Sequence, residues 1–311
     1  MRLFTEKDMR LGTFTTMYAR RRGEKQELPY VEQMKHCLNA GFDVQSLCTY
    51  YSLKPERSAE IAADDWQSRI DVLACEAKRL GVDFSQSHAP GGVEPFIKQL
   101  RPSGEELERY KELFSRAIIA SSMLGIKWMS VHPFSDNINC EYDNDVQWRS
   151  NYEFYAPFVE MGRKYGVGLA FENMARFDKY SMLKRPYCLS ADELCDLCDR
   201  FGDEYVGVTW DFGHARMMMN DQREPLRKIG KRLKATHVQD NKGDRDAHLI
   251  PFIGGNVQWE KIMPVLTEIG YEGDFVFEAH RYSQDIPEEL WEKAGRLAHE
   301  IGAYCLSLAN K

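Results

Sequence analysis

The chain has 311 residues, 43% of them hydrophobic, with 41 basic against 48 acidic side chains and a formal charge of −7. That length allows one large domain or two ordinary ones, and the acidic balance offers no overall attraction for a phosphate backbone, so nucleic acid is not the expected partner. No apolar run reaches the ~18 residues that a membrane span needs, and the opening MRLFTEKDMRLGTF lacks the apolar core of a signal peptide. The expectation is a cytoplasmic protein with no membrane association.

Short apolar runs with strand character recur along the chain, each followed by a stretch of helical periodicity, the pattern of parallel βα units. In order the predicted strands are 9–16, 42–51, 82–89, 126–134, 167–173, 206–214, 233–241 and 274–280. Helices are expected from Trp66, from Ser103, from Asn256 and from Pro287, with Ser103 and Glu106 at capping-box spacing and glycines 81, 125, 166, 202 and 270 closing helices before the next strand. Eight such units match a closed (β/α)8 barrel better than an open doubly wound sheet, and no GxGxxG follows the first strand. No linker or low-complexity tract divides the chain, so residues 1–311 are expected to form a single α/β barrel domain. The eight cysteines lie scattered in apolar or helical contexts, as at Cys37, Cys75 and Cys305, which suits buried free thiols. Cys195 and Cys198 form a CxxC, the spacing of half a zinc site or a redox pair, but no second pair completes a zinc site, and the expected reading is an amphipathic helix with both thiols facing the core.

Alternate strand residues point into a barrel. Glu172 shares its parity with Gly168 and Ala170, and Glu278 with Val276, so both glutamates fall inside the wall at the C-terminal ends of their strands, where barrel enzymes place their chemistry. Trp210 is outward by the same rule. Six of the eight histidines, His88, His132, His214, His237, His248 and His280, also fall at or just beyond strand ends, together with Asp211 and Asp246. A lone histidine there is more often a hydrogen-bonded core residue; convergence from six strands or their following loops points to metal instead. Glu172, Asp211, His237 and Glu278, one from each of the last four strands, form the expected ligand set. One imidazole and three carboxylates suit a single divalent ion, Mn²⁺ first, then Mg²⁺, Co²⁺ or Zn²⁺. The competing account pairs these acids with Arg176, Arg216 or Arg281.

The segments FEN (171–173), DFGH (211–214), HVQD (237–240), DAHLIPFIGG (246–255) and FEAH (277–280), in this order, resemble the xylose isomerase-like barrel superfamily, which holds sugar isomerases and epimerases, inosose dehydratase and endonuclease IV. Resemblance to its ketose 3-epimerase branch implies the same four ligands, with Glu172 and Glu278 as the proton-transferring pair and His214 against a substrate oxygen. The branch usually has a glutamate where Asp178 stands, and its substrate-binding arginine falls where Gly243 stands, two residues before Arg245. The endonuclease IV branch implies three metals on a larger set that this chain also carries: His88, His132, Glu172, Asp211, His214, His237, Asp246, His248 and Glu278.

Moving a proton on carbon next to a carbonyl requires charge stabilisation of an enediolate and an acid and base on suitable sides. Glu172 and Glu278 are the expected pair, without assigned direction. His132, His214, His88, His248 and Arg245 are candidates to bind substrate, and Phe134, Phe177 and Phe252 are candidates to wall the site, with core packing an equal account of each. The expected ligand is a small carbohydrate, phosphorylated or not; the only hint of an anion site is Gly254-Gly255 before the helix near Asn256. A homo-oligomer or a second subunit is compatible with the sequence. Three other functions remain open: a lyase on the same residues, either a keto-polyol dehydratase or a C-glycoside-cleaving subunit; a three-metal nuclease; and a carbohydrate-binding barrel without catalysis.

Overall fold

The computed structural model describes residues 9–309 apart from 22, 58, 92–99, 136–140, 177–184 and 281. Eight strands, β1 (Leu11–Phe14), β2 (Val44–Cys48), β3 (Asp83–His88), β4 (Trp128–Val131), β5 (Gly168–Glu172), β6 (Val206–Asp211), β7 (Leu233–His237) and β8 (Phe275–Phe277), lie in one parallel sheet ordered 7-6-5-4-3-2-1-8. The two edges meet through a parallel bridge between Val238 and Phe277, where Val238 N–H donates to Val276 O (2.8 Å) and Glu278 N–H to Val238 O (2.9 Å). The sheet is thus closed into a TIM barrel of one α/β domain.

The helices are α1 (Tyr30–Asn39), α2 (Trp66–Leu80), α3 (Gly104–Met123), α4 (Asn144–Tyr165), α5 (Ala191–Phe201), α6 (Phe212–Met218), α7 (Arg223–Ile229), α8 (Trp259–Glu268) and α9 (Trp291–Leu308), of which the short α6 follows directly on β6 at the mouth. Gly81, Gly125, Gly166, Gly202 and Gly270 all have positive φ, between 61° and 76°, as helix-closing glycines require. The Ser103 hydroxyl makes no cap hydrogen bond. Its neighbour Gly104 stands at φ 60°, so the chain turns into α3 without the geometry of a capping box. A related arrangement occurs at α5, where Ser190 accepts from Glu193 N–H (3.3 Å) and the Glu193 carboxylate reaches one residue further back, accepting from Leu189 N–H (3.0 Å).

The helix expected from Asn256 begins at Trp259, because Asp240 takes the approaching backbone: its carboxylate accepts from Val257 N–H (2.9 Å) and from Trp259 Nε1 (2.9 Å). An added Cβ on Gly255 would sit 2.0 Å from Asp240 Oδ1. The glycine is therefore there for this close approach, and the place an anion would occupy is filled by the protein's own carboxylate.

Cys195 and Cys198 are buried on the inner face of α5, as free thiols. The Cys198 thiol reaches Gly207 O at 3.4 Å, and burial raises the pKa of both thiols, the environment of inert structural cysteines. Cys75 is exposed, against expectation; it lies on the solvent flank of α2, whose buried line is Trp66, Ile70, Leu73 and Ala77.

Leu169, Phe171, Val208, Trp210, Phe275 and Phe277 pack outward into the helix layer, while Phe14, Cys48 and Val276 form a separate cluster with Tyr50 at its edge. The opposite interior wall is polar: Ser130 and Thr209 share a hydrogen bond (2.7 Å), and Gln86 donates to Thr236 O (3.0 Å). Every one of these buried polar groups is paired, as a packed interior demands. No helix among the described residues is long and apolar enough to cross a membrane.

Candidate metal centre

At the C-terminal mouth six histidines and four carboxylates converge, and the described contacts of the carboxylates within ion-pair distance are to histidine. Glu172, at the end of β5, is 1% exposed. Its Oε2 lies 3.1 Å from His237 Nδ1, 3.3 Å from His132 Nε2 and 3.6 Å from His88 Nε2, and its Oε1 lies 3.3 Å from His214 Nδ1. Glu278, just past β8, places Oε2 at 3.5 Å from His237 Nδ1 and Oε1 at 3.6 Å from His280 Nε2. Ligand atoms of Glu172, Asp211, His237 and Glu278 all lie within 4.8 Å of one another, as do those of His88, Glu172 and His237, and of His248, Glu278 and His280. Arg216, one of the arginines that could have paired the acids, bonds Asn256 Oδ1 at 2.6 Å; Arg281 lies outside the described residues.

Glu172 Oε2, Glu278 Oε2 and both ring nitrogens of His237 are buried without a hydrogen-bond partner. Leaving buried polar atoms unpaired is costly, more so for charged groups. Three of these atoms converge, His237 Nδ1 lying 3.1 Å from Glu172 Oε2 and 3.5 Å from Glu278 Oε2, a nitrogen and two carboxylate oxygens of the kind a divalent cation satisfies. This buried cluster is consistent with a divalent metal site.

The surrounding shell fixes these groups. Asp211 caps α6, accepting from His214 N–H at 2.6 Å, so the chain leaves the strand at Asp211 and His214 sits in a helix, not on the longer strand expected to 214. Asn173 clamps the Asp211 backbone, accepting from its N–H (2.7 Å) and donating to its carbonyl (2.9 Å). Gln239 bridges the Asp211 and Asp246 carboxylates through Nε2 and accepts from His248 N–H at 3.2 Å. Gly213 makes room for it, since a Cβ there would lie 2.1 Å from the Gln239 amide carbon. Three imidazoles are set by backbone carbonyls, which only accept: His88 Nδ1 donates to Ala89 O (2.8 Å), His214 Nδ1 to Asn173 O (2.9 Å) and His248 Nδ1 to Glu278 O (3.0 Å). In each, the proton on Nδ1 aims Nε2 into the cluster.

The electrostatics follow from burial and from who faces whom. Burial would raise Glu172, but His237 and His132 hold it well below the usual carboxylate range. Burial, then the charges of Glu172 and Asp211, push Glu278 well above it. Asp246 is held low against burial by His248 and His214, and against the same penalty Asp211 and Asp246 raise His214 well above an ordinary histidine. Burial depresses His132 and, with His248, His280.

His88, His132, His214 and His248 thus join the four expected ligands in one cluster. Arg245 does not: it is exposed on the loop after β7. Phe134 is 1% exposed and packs on Phe154 and Tyr155 behind the sheet, so it walls nothing. Phe252 is 43% exposed and its ring meets Tyr304, and Phe177 and Asp178 lie outside the described residues. Sequence reasoning missed Asn173, Gln239 and Tyr50. The Tyr50 ring stands edge-on to His88, 5.1 Å between centroids, and 5.5 Å from His132; it falls within the strand expected over 42–51, whereas β2 ends at Cys48. Replacing Asn173 by Ala is expected to weaken divalent-metal affinity about 10–100-fold while the fold persists, measured by titrating metal into chelated protein.

A closed parallel barrel with a buried histidine and carboxylate cluster at its C-terminal mouth, consistent with a divalent-metal site, defines the class. The chain belongs to the Xylose isomerase-like TIM barrel family, whose model matches residues 34–300. It is 35% identical to the uncharacterised protein y4fM of Sinorhizobium fredii over 275 residues, 80% of this chain and 82% of that one. It is 30% identical to the uncharacterised protein MJ1311 of Methanocaldococcus jannaschii over 127 residues, 40% of this chain and 41% of that one. Among solved structures, a D-tagatose 3-epimerase-like protein superposes with a TM-score of 0.71 at 21% identity, covering 97% and 98% of the two chains. D-psicose 3-epimerase from Clostridium cellulolyticum gives 0.69 at 18%, covering 96% and 99%. The 3-keto-D-glucoside 4-epimerase YcjR of E. coli gives 0.68 at 14%, covering 94% and 99%. At these identities the structures share the fold.

Proposed function

We propose that this protein is a divalent-metal-dependent sugar isomerase or epimerase that moves a proton on carbon next to a carbonyl. The observation that carries the reading is the set of unpaired buried atoms on Glu172, His237 and Glu278, completed by Asp211. These four residues would hold the ion, Mn²⁺ by first expectation. When bound, such an ion polarises a carbonyl and its neighbouring hydroxyl and offsets enediolate charge.

The rest is the work of the chain. Glu172 and Glu278 come from strands on different sides of the mouth and serve as the proton-transferring pair. His132 and His214, each 3.3 Å from a Glu172 oxygen, are placed to orient that carboxylate and to bind substrate oxygens. His88 and His248 line the adjoining walls, and Tyr50 closes the side above His88. The sugar epimerases among the structural neighbours support this substrate class, and the D-psicose 3-epimerase was solved with D-tagatose. The test is proton exchange: metal-loaded protein is incubated with a panel of ketoses and keto-sugars in D2O, and NMR reads deuterium entering the carbon beside the carbonyl. Exchange with at least one sugar, lost in Glu172→Gln, is expected. No exchange across ketoses, ketose phosphates and 3-keto-glycosides would overturn the reading.

A second reading draws on the flanking groups. His88 and His132 face Glu172 on one side, with 3.3 Å between their Nε2 atoms. On the other, His214 and His248 face Asp246 at 3.7 and 2.9 Å. Such a row has room for more than one ion and would suit a phosphodiester-cleaving centre, against which stands the −7 charge of the chain. Cleavage of abasic-site DNA by zinc-loaded protein would favour it.

A further inference from the structure

Eight large hydrophobic side chains stand exposed among the described residues, and five belong to one surface: Phe252 (43%), Ile253 (41%), Leu290 (45%), Leu297 (50%) and Tyr304 (48%). Leu297 and Tyr304 are seven residues apart on α9, with Leu290 seven residues before them at the helix entry, and this spacing lines them along one flank. The core-facing line of the same helix is different: Trp291, Gly295, Ala298, Gly302, Cys305 and Leu308. Half-buried Ala294 and Ile301 widen the apolar flank. The Tyr304 ring carries it across to Phe252, 5.6 Å between centroids at 64°.

Two further observations bear on what covers this surface. Phe252 holds φ 64°, a conformation that a bulky side chain rarely adopts and that persists where surroundings over-determine it; here the result is a ring presented to solvent. Lys293 and Glu300 border Leu297 on its two sides along the helix. Both are exposed, and neither forms an ion pair with any described residue, whereas neighbouring Arg296 is engaged by Glu292 at 2.7 Å.

We propose that this surface is a two-fold interface with a second copy of the same chain, the α9 helices packing antiparallel about an axis through Leu297. That operation lays Leu290 of each copy toward Tyr304 of the other and brings each Lys293 beside the other copy's Glu300. A cation on one side of an apolar centre and an anion on the other is self-complementary under a two-fold rotation, the pattern of an isologous contact. The contact also braces Phe252, and with it the loop that carries Asp246 and His248. The inference is independent of the reaction assigned to the site.

Sedimentation equilibrium on the full chain tests it. The parent is expected to dimerise and Leu297→Glu to be monomeric with an unchanged circular dichroism melt, Leu297 being half-exposed. Lys293→Glu and Glu300→Lys are each expected to weaken the dimer on the order of tenfold or more, through like charges brought together. The double reversal restores opposite signs across the axis and should regain most of the loss. A monomeric parent at the highest soluble concentration, an oligomer indifferent to Leu297→Glu, or a double variant no tighter than either single would overturn the proposal.

Discussion

Glu278→Gln should cost turnover by about 10²–10⁴-fold, the range for losing a positioned acid or base, while leaving the metal-free protein at least as stable as the parent. The two effects have one cause. Glu278 is 4% exposed and faces Glu172 and Asp211, so burial and two like charges penalise its ionised form. An amide of the same shape removes that penalty, and the metal-free melting free energy should be unchanged or rise by roughly 1 kcal/mol, as is common when a functional site is relaxed. The parent should recover stability when metal is added, about 2.7 kcal/mol at a hundredfold excess over Kd, and the variant much less. Thermal melts of both proteins with chelator and with Mn²⁺, beside the activity assay, separate the outcomes. A variant that still gains the parent's full metal stabilisation would remove Glu278 from the ligand set.

The second large effect is on folding. Asp240 is 1% exposed and its carboxylate accepts from Asn241 N–H (2.8 Å), Val257 N–H (2.9 Å), Trp259 Nε1 (2.9 Å) and Phe252 N–H (3.4 Å). Asp240→Ala strands these donors in the interior, and breaking a buried charged hydrogen-bond set typically costs about 3–5 kcal/mol. Asp240→Asn keeps one accepting oxygen and should lose distinctly less. Urea midpoints of the two variants test this order. Because Asp240 anchors the loop running from Asp246 to Gly255, Asp240→Asn should also lower metal affinity without touching a ligand.

The barrel was legible because its signal is repeated: eight apolar runs, each followed by helical periodicity, glycines closing five of the helices, and a two-residue parity that correctly turned Glu172 and Glu278 inward and Trp210 outward. Ligand-type residues were legible for a related reason. Histidines and acids at strand ends have no structural excuse for gathering there, and the cluster assembled without any one of them being individually convincing. What escaped was what depends on side chains meeting across loops. Asn173 and Gln239 are ordinary amides until their distances to Asp211 and Asp246 are known. The sixth strand, expected to 214, stops at Asp211 because its side chain caps the next helix by accepting from His214 N–H. The Asn256 helix was drawn early because nothing local reveals that Asp240 has claimed its first amides. For Phe134 the packing alternative holds, since it turns back into the helix layer against Phe154 and Tyr155, while Phe252, on the long loop after β7, turns outward to Tyr304.

The most direct test of the central claim is elemental analysis of protein purified without chelator, beside Asp211→Asn and Glu278→Gln prepared in the same way. A single divalent ion per parent chain, largely absent from both variants, is the expected result. A parent that carries no metal and takes none up from micromolar Mn²⁺, Co²⁺ or Zn²⁺, or one whose metal is retained in both variants, would contradict it.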